Sequence, residues 1–397
     1  MVLSSRVMIV LVTLLVALGP LSTDMYLPSL PAMMEFFSVE VDQVQLTLSS
    51  FLIGFALSQL IYGPLADRFG RKPVIAGGML LFALASLGCA FAESIEALII
   101  WRFLQALGGC AGPVLGRAMI RDLYSPLESA RLLSFVASAM SLAPAIGPLL
   151  GGYLVLWFDW QAIFILLVLY GLALSLIFTF KVPETLPQEN RQPFRLKPTL
   201  ANYGALLRNP HYMGYVFSCA FAYSGLFAFI SGSSFVVIDY FQVPEQYFGY
   251  FFLVAIVGYI TGSFLAGRYS RRLGLDTLMK LGLAAVLLSG VVIASVVMLE
   301  WYQVLPVFMP IYFFCCGVGV IMPQSMAGAL APFAHMAGTA SALFGFLQMS
   351  CAAVVGIWVG HSYDSSPEGM LSAIALMGLL APCAYFLLIE RREGREE

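Results

Sequence analysis

Long apolar stretches separated by short polar connections constrain this sequence more than any other feature. A helix of roughly 20 mostly apolar residues is long enough to cross a bilayer. Twelve such stretches occur, at approximately 7–33, 45–65, 74–92, 97–118, 132–156, 161–180, 211–237, 247–266, 278–299, 303–324, 337–360 and 370–389. Only 11% of the residues are charged, against about 25% in a soluble domain. The sequence therefore predicts an all-α membrane protein with 12 transmembrane helices.

The lysines and arginines predict how this protein is oriented in the membrane. Of the 20 basic residues, all except Arg102 lie in alternate connections or at the two ends of the chain. Short loops rich in Lys and Arg stay on the cytoplasmic side of a membrane. Both termini are therefore predicted to be cytoplasmic. The net charge of −2 gives no indication of a nucleic-acid partner.

A polar, proline-rich segment divides the chain into two halves of six predicted spans each. We place an N-terminal bundle at 1–182, a cytoplasmic linker at 183–210 and a C-terminal bundle at 211–397. The octapeptide Gly63–Gly70 follows the second span, and a similar octapeptide, Gly267–Gly274, follows the eighth at an offset of 204 residues. This placement indicates internal duplication.

Two ionisable residues, Asp24 and Arg102, fall inside predicted spans. By helical rise they lie at comparable depths, roughly 13 Å and 7–8 Å from the outer face. Ionisable groups in a span normally face a partner or a cavity and mark function. We therefore predict that Asp24 loads and unloads a proton next to Arg102, with Gln105 on the same helix face. Two alternatives remain: Asp24 organises an interfacial turn before Pro28, and the long Arg102 stem reaches the outer surface.

A short basic loop, Gly63–Lys72, is the third candidate for function. Its Asp67 can pair with neighbouring bases or with a helix N-terminus and so hold one conformation. The loop lacks the Gly-Lys-Ser/Thr ending of a phosphate-binding loop. The alternative is a loop whose positive charge only sets the topology.

These motifs resemble those of the major facilitator superfamily. Gly63–Lys72 is similar to motif A, Arg102–Gly108 to motif B, and Gly147–Gly152 to motif C, the antiporter signature. Asp24–Pro31 is similar to the first-span motif of twelve-span drug/proton antiporters. Together they resemble the Bcr/CflA subfamily of drug/proton antiporters over essentially the whole chain.

The resemblance implies a transporter of the bacterial inner membrane rather than an enzyme. It implies two six-helix bundles, a monomer in the lipid bilayer, and no cofactor or metal. The implied activity is efflux of small apolar or amphipathic antimicrobials, such as bicyclomycin-, chloramphenicol- or sulfonamide-like compounds, in exchange for protons. The competing function on the same fold is export or import of a small metabolite, for example an amino acid.

The resemblance also implies roles for particular residues. Asp24 and Arg102 would couple protons to transport. A cytoplasmic gate would comprise Gly63, Asp67, Arg68, Gly70 and Arg71, and close helix packing and bending would depend on Gly147, Pro148, Gly151 and Gly152. Two positions depart from the pattern: Val16 stands where some drug exporters carry a second acid, and Arg271 replaces Asp67 in the second copy of the loop.

Aromatic and amide side chains are the candidates for the substrate pocket. Such surfaces, like methionine-rich ones, adapt to varied ligands. The candidates are Asp24, Gln105, Tyr223, Phe227, Phe252, Phe344 and Gln348. The alternative for the aromatic residues is ordinary helix packing or contact with lipid.

Overall fold

The computed structural model describes residues 5–125, 128–129, 131–133, 135–136, 143–191 and 196–390. Within these ranges the regular structure is helical and contains no strand. Part of the fifth predicted span, 132–156, lies outside the described residues. So do four of the basic residues used for the topology: Arg195, Arg391, Arg392 and Arg395.

The first half of the chain contains eight helices in its described residues, which we number in chain order. A short 3₁₀ segment, Leu27–Ser29, separates the first two helices. The helices are α1 (Ser5–Asp24), α2 (Leu30–Phe37), α3 (Val41–Phe69), α4 (Arg71–Ala90), α5 (Ile95–Gly109), α6 (Ala111–Leu123), α7 (Ala143–Trp157) and α8 (Gln161–Phe180).

The second half continues with six further helices in the part that the structure describes. They are α9 (Leu196–Arg208), α10 (Pro210–Ser234), α11 (Phe248–Met298), α12 (Val304–Leu330), α13 (Ala337–His361) and α14 (Glu368–Tyr385). A π-helical segment, Phe235–Tyr240, extends α10.

Among the described residues, ten helical runs are long and apolar enough to cross a membrane. The longest, Glu245–Met298, has 54 residues and contains the eighth predicted span and all but the last residue of the ninth. The shorter apolar helix α7 covers residues 143–156 of the fifth predicted span. These runs confirm the all-helical class, while the count of 12 and the orientation stay predictions.

A glycine at the same place in each half interrupts the helices. Gly70 (φ 101°, ψ 159°) separates α3 from α4, and Gly274 (φ 76°, ψ 171°) breaks α11. Residues other than glycine rarely adopt these backbone dihedral angles. The two positions are those aligned by the 204-residue offset, so the sequence repeat has a counterpart in backbone geometry.

The chain folds into two compact units. Unit 1 comprises Met1–Val39 and Ser50–Arg195, and unit 2 comprises Glu40–Ser49 and Leu196–Glu397. Within unit 2, the first turns of α3 contact α10, where Gln45 Nε2 donates to the Ser231 carbonyl oxygen at 3.2 Å. The bundle limits given by the sequence stay predictions.

Glycines bring helix backbones into direct contact within each unit. A Cβ atom at Gly108 of α5 would overlap the backbone of α4, and one at Gly262 of α11 would overlap the carbonyl of Cys316 in α12. Helices in lipid associate through such close packing of small residues because lipid removes the hydrophobic drive between them.

Candidate functional site

Asp24 is the last residue of α1, at the point where the helix stops before a turn. Its side chain is buried, with 4% of its surface exposed. Its Oδ1 atom accepts a hydrogen bond of 2.9 Å from the hydroxyl of Thr23. Among the residues that the structure describes, Asp24 is the one buried carboxylic acid. A buried acid within a predicted membrane span indicates a functional site.

The glycines of α7 lie directly against the end of α1. A Cβ atom at Gly147 would stand 3.0 Å from the Cβ of Asp24, and one at Gly151 would overlap the carbonyl oxygen of Met25. Pro148 and Gly152 are buried in the same helix. The residues of motif C therefore allow the α7 backbone to approach the candidate proton-binding residue.

Arg102 of α5 is completely buried. Its Nη1 atom donates to the Ser22 carbonyl oxygen at 3.1 Å and to Gln105 Oε1 at 2.6 Å. Its Nε and Nη2 atoms have no hydrogen-bond partner among the described residues. The guanidinium carbon lies 4.6 Å from the ring centroid of Tyr26 and 4.5 Å from that of Phe51. Cation–π contacts of this kind gain strength when they are desolvated.

Gln105 connects Arg102 to α4. Its Nε2 atom donates to the Ser86 hydroxyl at 2.8 Å, and that hydroxyl donates to the Phe82 carbonyl oxygen at 2.7 Å. Because the Ser86 hydrogen is used on Phe82, only its lone pairs face Gln105. The amide nitrogen of Gln105 must therefore point to Ser86 and its oxygen to Arg102.

The structure gives Arg102 partners other than Asp24. No ion pair joins these two residues in the described part of the chain. The guanidinium instead bonds to the carbonyl of Ser22 and stacks on Tyr26, the residues two before and two after Asp24. The two predicted residues thus meet through the end of α1 rather than side chain to side chain.

The predicted gate loop forms a compact charge cluster centred on Arg71. Arg71 Nη1 lies 2.7 Å from Asp67 Oδ1, and Arg71 Nε lies 3.1 Å from Asp122 Oδ2 of α6. The backbone N–H groups of Arg71 and Lys72, at the start of α4, donate to the carboxylate of Glu184 at 2.9 and 3.3 Å. A carboxylate at this end of a helix is favourable because the N–H groups there lack helical partners.

Two residues of this cluster, Asp122 and Glu184, were not among the residues chosen from sequence. Glu184 follows α8 and also lies 3.8 Å from Arg191 Nη2. A Cβ atom at Gly70 would overlap the Glu184 carboxylate, so the glycine is needed for space as well as for its positive φ. The available sequence signal was the string Lys-Val-Pro-Glu-Thr-Leu-Pro at 181–187, which shares the family resemblance.

Arg68 and Gly63 lie apart from this cluster. The Arg68 side chain is exposed and its guanidinium carbon lies 5.1 Å from the ring centroid of Phe69. A Cβ atom at Gly63 would meet no atom within 4 Å. The predicted gate residues that the structure brings together are thus Asp67, Gly70 and Arg71.

The predicted pocket residues of unit 2 lie inside its helix packing. Phe227, Phe252, Phe344 and Gln348 are buried, and Tyr223 is half-buried. The Phe252 ring stacks on Phe229 with centroids 5.5 Å apart. Gln348 Nε2 is buried without a hydrogen-bond partner among the described residues. Their role in binding substrate stays a prediction.

Comparison with known proteins agrees with the helical fold and with the motifs. Residues 12–357 match the Major Facilitator Superfamily. The chain belongs to this superfamily. It is 35% identical to a "Bicyclomycin resistance protein homolog" of Haemophilus influenzae, over 98% of this chain and 97% of that protein. It is 29% identical to "Multidrug resistance protein D" of Escherichia coli, over 97% and 96%.

A solved transporter structure shares the fold of this one. A bacterial homologue of the human lysosomal transporter Spinster, in an inward-facing and occupied conformation, superimposes with a TM-score of 0.75 at 16% identity. The match covers 97% of each chain. The superfamily and its resistance-named relatives confirm the predicted resemblance and indicate a membrane transporter rather than an enzyme.

Proposed function

We propose that this major facilitator exports small apolar or amphipathic antimicrobials in exchange for protons, with Asp24 as the proton-binding group. The observation that carries the proposal is the burial of the Asp24 carboxyl at the end of α1, in contact with the glycines of α7. Two relatives whose names state resistance to bicyclomycin and to multiple drugs support the class of substrate. The proposed setting is the bacterial inner membrane, with a monomeric transporter and cytoplasmic termini.

Arg102 is the proposed partner of Asp24 during the cycle. The guanidinium keeps two nitrogen atoms without a partner among the described residues, and its Nη1 bonds to a carbonyl two residues before Asp24. A shift of the end of α1 would exchange the Ser22 carbonyl for the Asp24 carboxylate. We propose that this exchange accompanies loss of the proton, because an ionised acid gains most from a buried cation.

The membrane potential supplies enough energy for this exchange. Import of one positive charge yields about 2.3 kcal/mol per 100 mV. Because about 1.4 kcal/mol corresponds to a tenfold ratio, one proton supports about a 50-fold gradient of a neutral drug at that potential. An uncharged substrate also agrees with a region around the end of α1 whose buried ionisable side chains, among the described residues, are one acid, Asp24, and one base, Arg102.

The test uses purified transporter in vesicles with an imposed pH gradient. The probes are radiolabelled bicyclomycin, chloramphenicol and sulfathiazole. The Asp24→Asn variant should lose gradient-driven accumulation down to the level of empty vesicles, because its side chain cannot release a proton. Exchange of labelled for unlabelled drug should persist in this variant, since that exchange moves no net proton.

Asp159→Asn is the matched control, because Asp159 is an exposed aspartate and the chemical change is the same. This variant should transport at the unaltered rate. Gradient-driven accumulation by Asp24→Asn at the control rate would refute the role of Asp24. Accumulation of labelled amino acids without any of the three antimicrobials would instead support the metabolite transporter.

A further inference from the structure

An open apolar groove runs between α3 and α4 of unit 1, on the side of the basic loop that joins them. Its volume is about 260 Å³, and its lining includes Tyr62, Leu65, Phe69, Pro73, Val74 and Gly77. Pockets for drug-sized ligands are larger, at about 300–1,000 Å³. The dimensions and apolar lining therefore fit a hydrocarbon chain better than a drug.

Gly77 keeps the groove open. A Cβ atom at this position would meet no atom within 4 Å, whereas one at the next residue, Gly78, would stand 2.6 Å from the Cβ of Ala111. The two glycines thus have different functions: Gly78 permits helix packing on the inner side, and Gly77 leaves space on the outer side. A helix-packing requirement does not explain a glycine at 77.

Two basic residues, Arg68 and Lys72, adjoin the groove-lining residues Phe69 and Pro73 in the sequence. Arg68 stacks on Phe69, which lines the groove, and Lys72 precedes Pro73, which also lines it. Neither basic side chain forms an ion pair within the described residues. The acids nearby are already engaged, because Asp67 pairs with Arg71 and Glu184 binds the start of α4. A net positive charge therefore remains beside an apolar groove.

We propose that this groove binds one anionic phospholipid from the leaflet on the side of the basic loops. The phosphate would lie between Arg68 and Lys72, and one acyl chain would lie along Leu65, Val74 and Gly77. Basic sites beside membrane helices recognise anionic headgroups by this combination of charge and depth. The proposal does not depend on the transported substrate.

Unit 2 provides an internal comparison. By the repeat offset that aligns Gly70 with Gly274, Gly77 corresponds to Leu281. The second repeat thus carries a large side chain where the first carries the open glycine, and we expect no anionic lipid site there.

The test is native mass spectrometry of purified, delipidated transporter titrated with phosphatidylglycerol or phosphatidylcholine. The unaltered protein should bind one phosphatidylglycerol more tightly than phosphatidylcholine. Gly77→Leu, which copies the second repeat, should abolish that adduct without disturbing packing, because the added atoms enter open space. The double variant Arg68→Gln, Lys72→Gln should lower the preference for phosphatidylglycerol on the order of tenfold at low salt.

Arg272→Gln is the matched control, since Arg272 is exposed and corresponds to Arg68 in the second repeat. This variant should keep the full preference. Equal binding of the two lipids by the unaltered protein would overturn the proposal, as would an undiminished phosphatidylglycerol adduct in Gly77→Leu. Gel filtration of each variant establishes that it is folded before the titration. Transport by the same preparations is a separate measurement, so loss of lipid binding and loss of drug export are distinguishable.

Discussion

The orientation of one buried amide controls the environment of Arg102. Ser86 donates its hydrogen to the carbonyl of Phe82, so its oxygen only accepts from Gln105. Gln105 must then present its own oxygen to Arg102, at 2.6 Å. A hydroxyl on α4 thereby fixes a guanidinium on α5 without touching it. We assign Ser86 a positioning role in the proposed coupling.

The Ser86→Ala variant tests this role. Loss of the hydroxyl leaves the Gln105 amide with a buried unpaired N–H group, which costs about 1–3 kcal/mol in buried sites. We expect the amide to reorient and Arg102 to lose its short hydrogen bond. The pH profile of drug transport should shift, while Ser86→Thr, which restores a hydroxyl, should recover the original profile.

Ser175→Ala is the control for a generally weakened helix interface. The Ser175 hydroxyl donates to the Ala76 carbonyl of α4 at 2.9 Å and has no connection to Arg102. This variant should lower thermal stability without moving the pH profile. An unchanged profile in Ser86→Ala would contradict the positioning role.

At the level of the helices, the connection between α3 and α4 is unusually short. The chain passes from α3 through one residue, Gly70, in a backbone region that costs other residues about 1–3 kcal/mol. The carboxylate of Glu184 then occupies the space that a side chain at Gly70 would need. The segment after α8 is thereby fixed to the joint between α3 and α4 within unit 1.

Three glycine-to-alanine variants separate backbone strain from the Glu184 contact. Gly70→Ala introduces backbone strain and an overlap with the Glu184 carboxylate. Gly274→Ala introduces backbone strain alone, because no atom lies near the added Cβ. Gly63→Ala introduces neither the strain nor an overlap. The expected order of thermal stability in detergent is Gly63→Ala, then Gly274→Ala, then Gly70→Ala. Gly63→Ala should be neutral or stabilising by up to about 1 kcal/mol, since alanine favours helix.

Equal melting temperatures for Gly70→Ala and Gly274→Ala would show that the overlap with Glu184 does not affect thermal stability. Glu184→Gln provides a second measurement of that contact. The amide oxygen still accepts hydrogen bonds but carries no charge for Arg191 and for the helix start, so a small loss of stability is expected.

Sequence predicted the helices better than it predicted the contacts between them. Apolar stretches identify spans because the bilayer requires their length. The loop predicted at Gly63–Lys72 was too long, because α3 continues to Phe69 and α4 begins at Arg71, so that Gly70 alone lies between the two helices. The spans are apolar around most of their circumference, however, and such a pattern does not show which face meets which neighbour. The sequence therefore could not predict which groups surround Arg102, namely the carbonyl of Ser22, the ring of Phe51 and, through Gln105, the hydroxyl of Ser86.

Asp122 and Glu184 were missed for a related reason. Acidic residues in polar connections are common, and nothing in their spacing relates position 122 or 184 to position 71. Their role depends on the approach of α6 and of the segment after α8 to the start of α4, which is a property of tertiary structure. The repeat offset, by contrast, needed no tertiary information and correctly related Gly70 to Gly274.

For the whole molecule, the sorting of basic residues predicts which connections face the cytoplasm. Glu93, between α4 and α5, lies in a connection without bases, and Ser125, after α6, lies near Arg117, Arg121 and Arg131 in the sequence. Both positions are exposed. A membrane-impermeant maleimide distinguishes the two sides if a cysteine is placed at each.

Glu93→Cys should react in intact bacteria, and Ser125→Cys should react only after the membrane is permeabilised. The background carries Cys383→Ala, because Cys383 is an exposed native thiol. That background without an added cysteine measures the remaining labelling. Reaction of Ser125→Cys in intact bacteria would place the basic loops outside and invert the predicted orientation.

The contact between α7 and the end of α1 has an evolutionary consequence. Since Gly147 and Gly151 lie against the backbone at Asp24 and Met25, no drug atom fits between these two helices. Under the proposed proton exchange, substitutions there would alter the number of protons imported per exported molecule and leave substrate selectivity unchanged. If bacteria adapt the proposed exporter under changing antibiotic selection, the substitutions should therefore occur elsewhere and leave Gly147 and Gly151 unchanged.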